Sequence, residues 1–326
     1  MTFIDWHNHY YPPQYLDALR EGPSHYRITD DDEGNPWLHS PGDINFIVRG
    51  HRDIDFRLKA LEEHGIDRQV ITFTAPGTLI EPPERSAELS MLVNDCLADI
   101  VRDRPDRFST LATLPLNAPI EAAREFDRAL DELGIPGAML YGNANGVALA
   151  DERFWPIYER ASDAGAVLYI HPNYPPGVEA MEQYWLMPLV GFMFDTTLAA
   201  AGLVFSGVVA RFPGVNWVLG HLGGAIPYLA ERLDRGYEAF PECRANIDRP
   251  PSAYLKAFHY DTVNFDPRAL MLALDFAGAD RIVAGSDYPH QIGSLAKMKE
   301  SLAGLDIAED DREKITSGNA KRLLGL

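Results

Sequence analysis

Eight short β-rich runs, each followed by a stretch of helical character, constrain this 326-residue chain more than any other feature. The runs are Thr2–Trp6, Arg68–Phe73, Phe108–Leu114, Gly137–Tyr141, Val167–Ile170, Val215–Leu219, His259–Val263 and Arg281–Ala284. Several are almost continuously apolar, as parallel strands covered on both faces are. Between them, segments such as 57–64, 86–97 and 119–130 carry apolar residues at helical spacing. Strand–helix alternation of this kind predicts a closed α/β barrel or a doubly wound sheet. No GxGxxG follows the first run, which weighs against the dinucleotide-binding form of the second. A (β/α)8 TIM barrel takes about 250 residues, so one domain over residues 1–326 fits, with the excess in insertions. The segment 12–53 is long, polar and punctuated by Pro and Gly. It reads as an insertion after the first strand, a small β-hairpin folded over the barrel mouth. A second insertion, Pro175–Pro188, follows the fifth strand.

Composition mainly excludes. The net charge of −19, from 48 acidic and 29 basic residues, argues against a polyanion-binding surface, so no nucleic-acid partner is expected. Cys96 and Cys243 stand outside any CxxC pattern, so neither a disulfide framework nor a structural zinc is implied. The N-terminal MTFIDWHNHYYPP has no basic and then apolar leader pattern. The longest apolar stretch, Leu198 to Val209, is short for a bilayer. A cytoplasmic protein without a membrane partner is the expectation.

The histidines carry the functional signal. Catalytic groups of barrel enzymes sit at the C-terminal ends of strands. His7 and His9 fall at the end of the first run, His171 at the fifth, His221 at the sixth and Asp287 at the eighth. Residues two apart on a strand share a face, so His7 and His9 reach one centre while Asn8 points away. Imidazoles with a carboxylate suit Zn, Mn, Fe or Co, and three His with one Asp leave a position for water or substrate.

The stretches DWHNHYYP (5–12), YIHP (169–172), LGHLGG (219–224) and GSDYP (285–289) resemble the amidohydrolase-2 family. RPPSAYL (249–255) and FDPRAL (265–270) resemble its branch of 2-amino-3-carboxymuconate-6-semialdehyde and γ-resorcylate decarboxylases. The likeness runs along essentially the whole chain. It implies that His7, His9, His171 and Asp287 bind the metal, while His221 acts beside it as a catalytic His and Asp287 also carries a proton. Two-metal members bridge their ions with a Lys after the fourth strand. Here that place reads MLYGN (139–143), which implies one divalent ion; zinc is the expectation, with manganese as the alternative. The activity implied is non-oxidative decarboxylation of a small aromatic or muconate-type acid, with hydrolysis of a lactone, ester or amide as the alternative.

Substrate-binding candidates are Arg49, Arg52 and Arg57, since an Arg fork matches a carboxylate. By resemblance Arg249 is an arginine lent across a dimer interface, and Trp185 lines the pocket. A homodimer is expected, with the apolar segment Leu186–Val209 as candidate interface. His290, His25 and His51 are weaker pocket candidates, and His64 suits a helix C-terminus.

Overall fold

The apolar runs become the parallel strands of a (β/α)8 barrel. In the computed structural model, which describes residues 1–40, 43–75 and 77–326, they are β1 (Ile4–His9), β2 (Arg68–Thr72), β3 (Phe108–Thr110, continued by Ala112–Thr113), β4 (Gly137–Tyr141), β5 (Val167–His171), β6 (Asn216–Leu219), β7 (His259–Asp261) and β8 (Ile282–Val283). Each pairs in parallel with the next. The ring closes between β8 and β1, where Trp6 N–H donates to Ala284 O at 2.7 Å and His9 N–H to Tyr288 O at 2.8 Å. β1 runs three residues past its expected end. His7, Asn8 and His9 are buried polar residues, so they break the apolar pattern that marks a strand in sequence.

β1 is also irregular. Asp5 pairs with Gln69 but Asn8 with Ile71, so β1 holds one residue more than β2 over that span, a β-bulge. As a result Trp6 and His7 both reach the Tyr169 ring, at 6.3 and 5.6 Å between centroids. Asp5 accepts from Gln69, and Asn8 accepts from Arg57.

Arg57 locks this arrangement from behind. It lies on the Ile54–His64 helix, which Asp53 caps by accepting Phe56 N–H at 2.9 Å and which ends at left-handed Gly65 (φ 61°). Arg57 and Leu61, one turn apart, are the buried side chains of that helix. The guanidinium donates to Asn8 Oδ1 (2.7 Å), Gln69 Oε1 (2.9 Å), Gly50 O (2.9 Å) and His9 O. Those partners are all neutral, and burial pulls its pKa down to about 10.

Residues 12–53 hold more than a hairpin. A helix, Pro13–Glu21, precedes a three-stranded antiparallel sheet of Arg27–Asp30, Pro36–Ser40 and Asp43–Phe46. Ile44, Asn45 and Phe46 line the cavity at the barrel mouth, and Ser40 Oγ meets Tyr174 Oη of the loop after β5 at 2.8 Å. The chain then enters one long apolar helix, wide π-type turns over Met187–Gly191 and α-helix over Phe192–Phe205. By length and composition it is apolar enough to cross a membrane, because it starts earlier than the stretch marked in the sequence. Ala199, Ala200, Leu203 and Val204 pack into the core, while Leu189, Val190, Phe194 and Leu198 are exposed.

Candidate metal centre

Five of the expected residues meet at the C-terminal end of the barrel. His7 Nε2 lies 3.1 Å from His9 Nε2, and Asp287 Oδ1 lies 3.3 Å from the first and 3.2 Å from the second. Donor atoms of His7, His9 and Asp287 fall within 4.8 Å of one another, as do those of His7, His171 and His221. All five side chains are buried. Nitrogen and carboxylate donors converging in this way are an arrangement that a divalent cation satisfies, once any proton they share is displaced. Five donors exceed the four of a closed tetrahedral site, so one is left for proton transfer or substrate.

Backbone geometry holds them there. His221, Leu222 and Asp287 have left-handed φ of 51°, 57° and 58°, a conformation costly for non-glycine residues and often found at functional sites. His7 O accepts the N–H groups of both Ser286 and Asp287, at 3.1 and 2.7 Å. Gly285 allows this approach, because a Cβ there would lie 2.8 Å from His7 Cβ.

Asp261, at the end of β7, escaped the sequence reading. Fully buried, its Oδ2 accepts His7 Nδ1–H at 2.5 Å, Tyr169 Oη–H at 3.1 Å and His221 N–H at 3.1 Å. Its Oδ1 accepts the N–H groups of Leu222 and Val263, each at 3.0 Å. The carboxylate thus keeps the His7 proton on Nδ1 and turns Nε2 to the centre, the partner a ligand imidazole needs. His171 Nδ1 donates to Pro172 O at 2.8 Å, with the same effect. A lone Asp in a buried strand, opposite an HxH, was the available signal.

The charges suit a cation. Burial pushes His9 down to about 3, His221 down to about 4 and His171 well below the usual value, so all three are neutral ligands near pH 7. Burial would lower His7 too, but the Asp261 carboxylate beside it overrides this and lifts it to about 10. Burial would raise Asp287, yet His7 and His9 hold it well below the carboxylate range.

A cavity of about 290 Å³ opens onto the cluster, lined by His171, His221 and Asp287 and by residues that include Thr74, Trp185, Phe192 and His290. Trp185, an expected pocket residue, is among those lining it. Arg49 and Arg52, the other expected substrate contacts, are not among its described lining residues. Arg49 is exposed and paired with Asp53 at 2.7 Å, and Arg52 donates to Asn35 Oδ1 at 3.3 Å. Arg57 reaches the site only from behind, through the His9 carbonyl. Arg249 lies in a separate cavity with Phe212 and Trp217, over the Tyr254 ring at 4.5 Å. No Lys or Arg is among the described lining residues. His25 is bound to Ile80 O at 2.7 Å, outside the lining.

Similar proteins share this architecture. The 2-amino-3-carboxymuconate-6-semialdehyde decarboxylase of Dictyostelium discoideum is 33% identical over 279 residues, 84% of this chain and 77% of that protein. The crystal structure of 5-carboxyvanillate decarboxylase from Sphingomonas paucimobilis superposes with a TM-score of 0.88 at 25% identity, covering 100% of this chain and 99% of the other. A dihydroxybenzoic acid decarboxylase from Polaromonas, solved with bound manganese and 2-nitroresorcinol, gives 0.84 at 27% identity, covering 100% and 97%. The amidohydrolase family model matches residues 4–326, so it starts on the first residue of β1, leaves no strand of the barrel outside it, and establishes that the chain belongs to the amidohydrolase family.

Proposed function

We propose that this chain is a metal-dependent, non-oxidative decarboxylase of a small aromatic or muconate-type carboxylic acid. The observation that carries the reading is the convergence of His7, His9 and Asp287 within 3.1–3.3 Å, with His171 and His221 beside them. His7, His9, His171 and Asp287 are the ligands we assign to one divalent ion. A bound ion there supplies Lewis-acid charge next to a substrate carboxylate. We favour zinc for a set this rich in imidazole, with manganese as the alternative; manganese occupies the Polaromonas relative.

The protein groups do the rest. Phe192 and Trp185 give the planar acid an apolar slot. As the bond to the carboxylate carbon breaks, its electron pair stays on the ring or diene carbon, which takes a proton, and carbon dioxide leaves. Asp287 moves that proton. Neutral His221 stands beside it as the partner that holds or returns it. The lining has no Lys or Arg, so a cation for the rest of the anionic substrate has to come from elsewhere. We assign this part to Arg249 of a second protomer, in a homodimer that covers Leu189, Val190, Phe194 and Leu198.

The experiment is a substrate panel. The metal-loaded protein should release carbon dioxide from hydroxybenzoates or muconate-type acids under anaerobic conditions. Turnover of lactones, esters or amides with no carbon dioxide from any acid overturns the reading in favour of a hydrolase.

A further inference from the structure

Asp195 is a buried carboxylate outside the metal centre, one helical turn after Phe192 on the Phe192–Phe205 helix. Burial pushes its carboxyl up to about 6. A charge kept out of water is costly unless it is paired or hydrogen-bonded, and here donors from two barrel loops hold it. Oδ2 accepts Asn173 N–H at 2.7 Å, two residues past His171 on the loop after β5. Oδ1 accepts Asn143 Nδ2–H at 2.8 Å, on the loop after β4. Asn143 is itself fixed, its amide donating to Tyr174 O at 3.0 Å and its Oδ1 accepting Gly146 N–H at 2.8 Å. Gly142 leaves room for the carboxylate, which a Cβ at that position would strike. Two residues on, Thr197 Oγ1 accepts Ala225 N–H at 2.9 Å, from the loop that follows His221. One turn of helix is thus tied to the loops after three successive strands, two of which carry His171 and His221.

We propose that Asp195 is a positioning residue, tying the Phe192–Phe205 helix to the loops after β4 and β5 so that the Phe192 ring stands at a set distance from His171 and His221. That ring lies 6.1 Å from His171 and 6.4 Å from His221, and it lines the cavity. It sits at a seam, because the π-type turns of Met187–Gly191 end on the residue before it, and such turns interrupt the regular helical ladder. Asp195 is the first buried residue of the helix beyond that seam. The inference takes its planar substrate from the decarboxylase reading and adds what sets the width of the slot. An Asn side chain at this position has one acceptor oxygen for two donors, so its NH2 opposes one of them and that loop comes loose.

The test is steady-state kinetics of carbon dioxide release from 2,6-dihydroxybenzoate by the manganese-loaded wild type, Asp195→Asn, Phe192→Ala and the double variant. Asp195→Asn should raise KM about tenfold, the scale of a small misfit in an apolar pocket. Its kcat should change little, because the slot binds ground and transition states alike. Manganese affinity should be that of the wild type, since Asp195 bonds to none of the ligand side chains. In the Phe192→Ala background Asp195→Asn should raise KM no further, because the ring it positions is gone. Additive effects on KM, or a lower denaturation midpoint with wild-type KM, leave Asp195 a merely structural residue and overturn the proposal. So does weaker manganese binding by Asp195→Asn, which places its effect on His171 instead. If Asp195→Asn does not fold, Asn143→Ala, which removes one tie from the loop side, takes its place in the cycle. A wild type that releases no carbon dioxide from this or any other acid ends the decarboxylase reading, a separate result, and the same cycle is then run on KM for the lactone or ester it hydrolyses.

Discussion

Replacing Asp261 by Asn changes one oxygen to an amide and puts the account of the metal centre under direct strain. Five donors converge on the two carboxylate oxygens: His7 Nδ1, Tyr169 Oη and His221 N on Oδ2, and Leu222 N and Val263 N on Oδ1. An Asn amide has one acceptor oxygen. With its NH2 towards Leu222 and Val263 it opposes two buried N–H groups. With its NH2 towards His7 it donates to Nδ1 and drives the imidazole proton onto Nε2, the atom turned to the metal. The first placement costs stability, at about 1–3 kcal/mol for each unsatisfied buried donor. The second costs metal affinity, for which loss of the partner behind a ligand imidazole typically takes about 10–100-fold, or roughly 1.4–2.7 kcal/mol. The assay is competitive metal titration against a chelating dye, with denaturant unfolding of the chelated protein run in parallel. Asp261→Asn should weaken metal binding at least about tenfold and lower the denaturation midpoint. A folded Asp261→Asn protein with wild-type metal affinity refutes the reasoning that Asp261 orients His7.

Three further outcomes follow from the same geometry. His7, lifted to about 10 in the metal-free fold, binds a proton that stabilises the fold fully below its ordinary value near 6.5 and is lost as pH rises through about 10. Metal must displace that proton, so calorimetry at pH 7.5 in buffers of different ionisation heat should show release of about one proton, and affinity should rise with pH over that window; no release contradicts the assignment. Arg57→Met leaves acceptors on Asn8, Gln69, Gly50 and His9 without their donor and should cost at least about 1–3 kcal/mol in denaturant unfolding, whereas Arg49→Ala should be close to neutral because its ion pair is exposed. Leu198→Glu, on the exposed helix face, should turn a dimer into a monomer in sedimentation; an unchanged mass places the interface elsewhere.

The barrel was legible because parallel strands buried on both sides read as apolar runs, and β4 matches its expected bounds of Gly137–Tyr141. Strand ends were harder wherever polar residues are buried, as at His7 to His9. The ligand rim was legible from strand-end position combined with residue type. What stayed hidden depends on contacts distant in sequence: Asp261 is 254 residues from His7, and Thr74 is 216 from His290. Helical phase separates the three arginines. Arg57 shares an inward face with Leu61, whereas Arg49 and Arg52 precede that helix in a single turn, where no periodicity tells inside from outside. The bulge in β1 leaves no mark in composition at all.

The most direct test of the central claim is an activity titration: metal-free protein receives manganese in fractional equivalents while carbon dioxide release from a hydroxybenzoate is followed. Activity should rise linearly and break at one equivalent, and His171→Ala should abolish it. Full activity in excess chelator, or a break at two equivalents, would contradict the one-metal assignment.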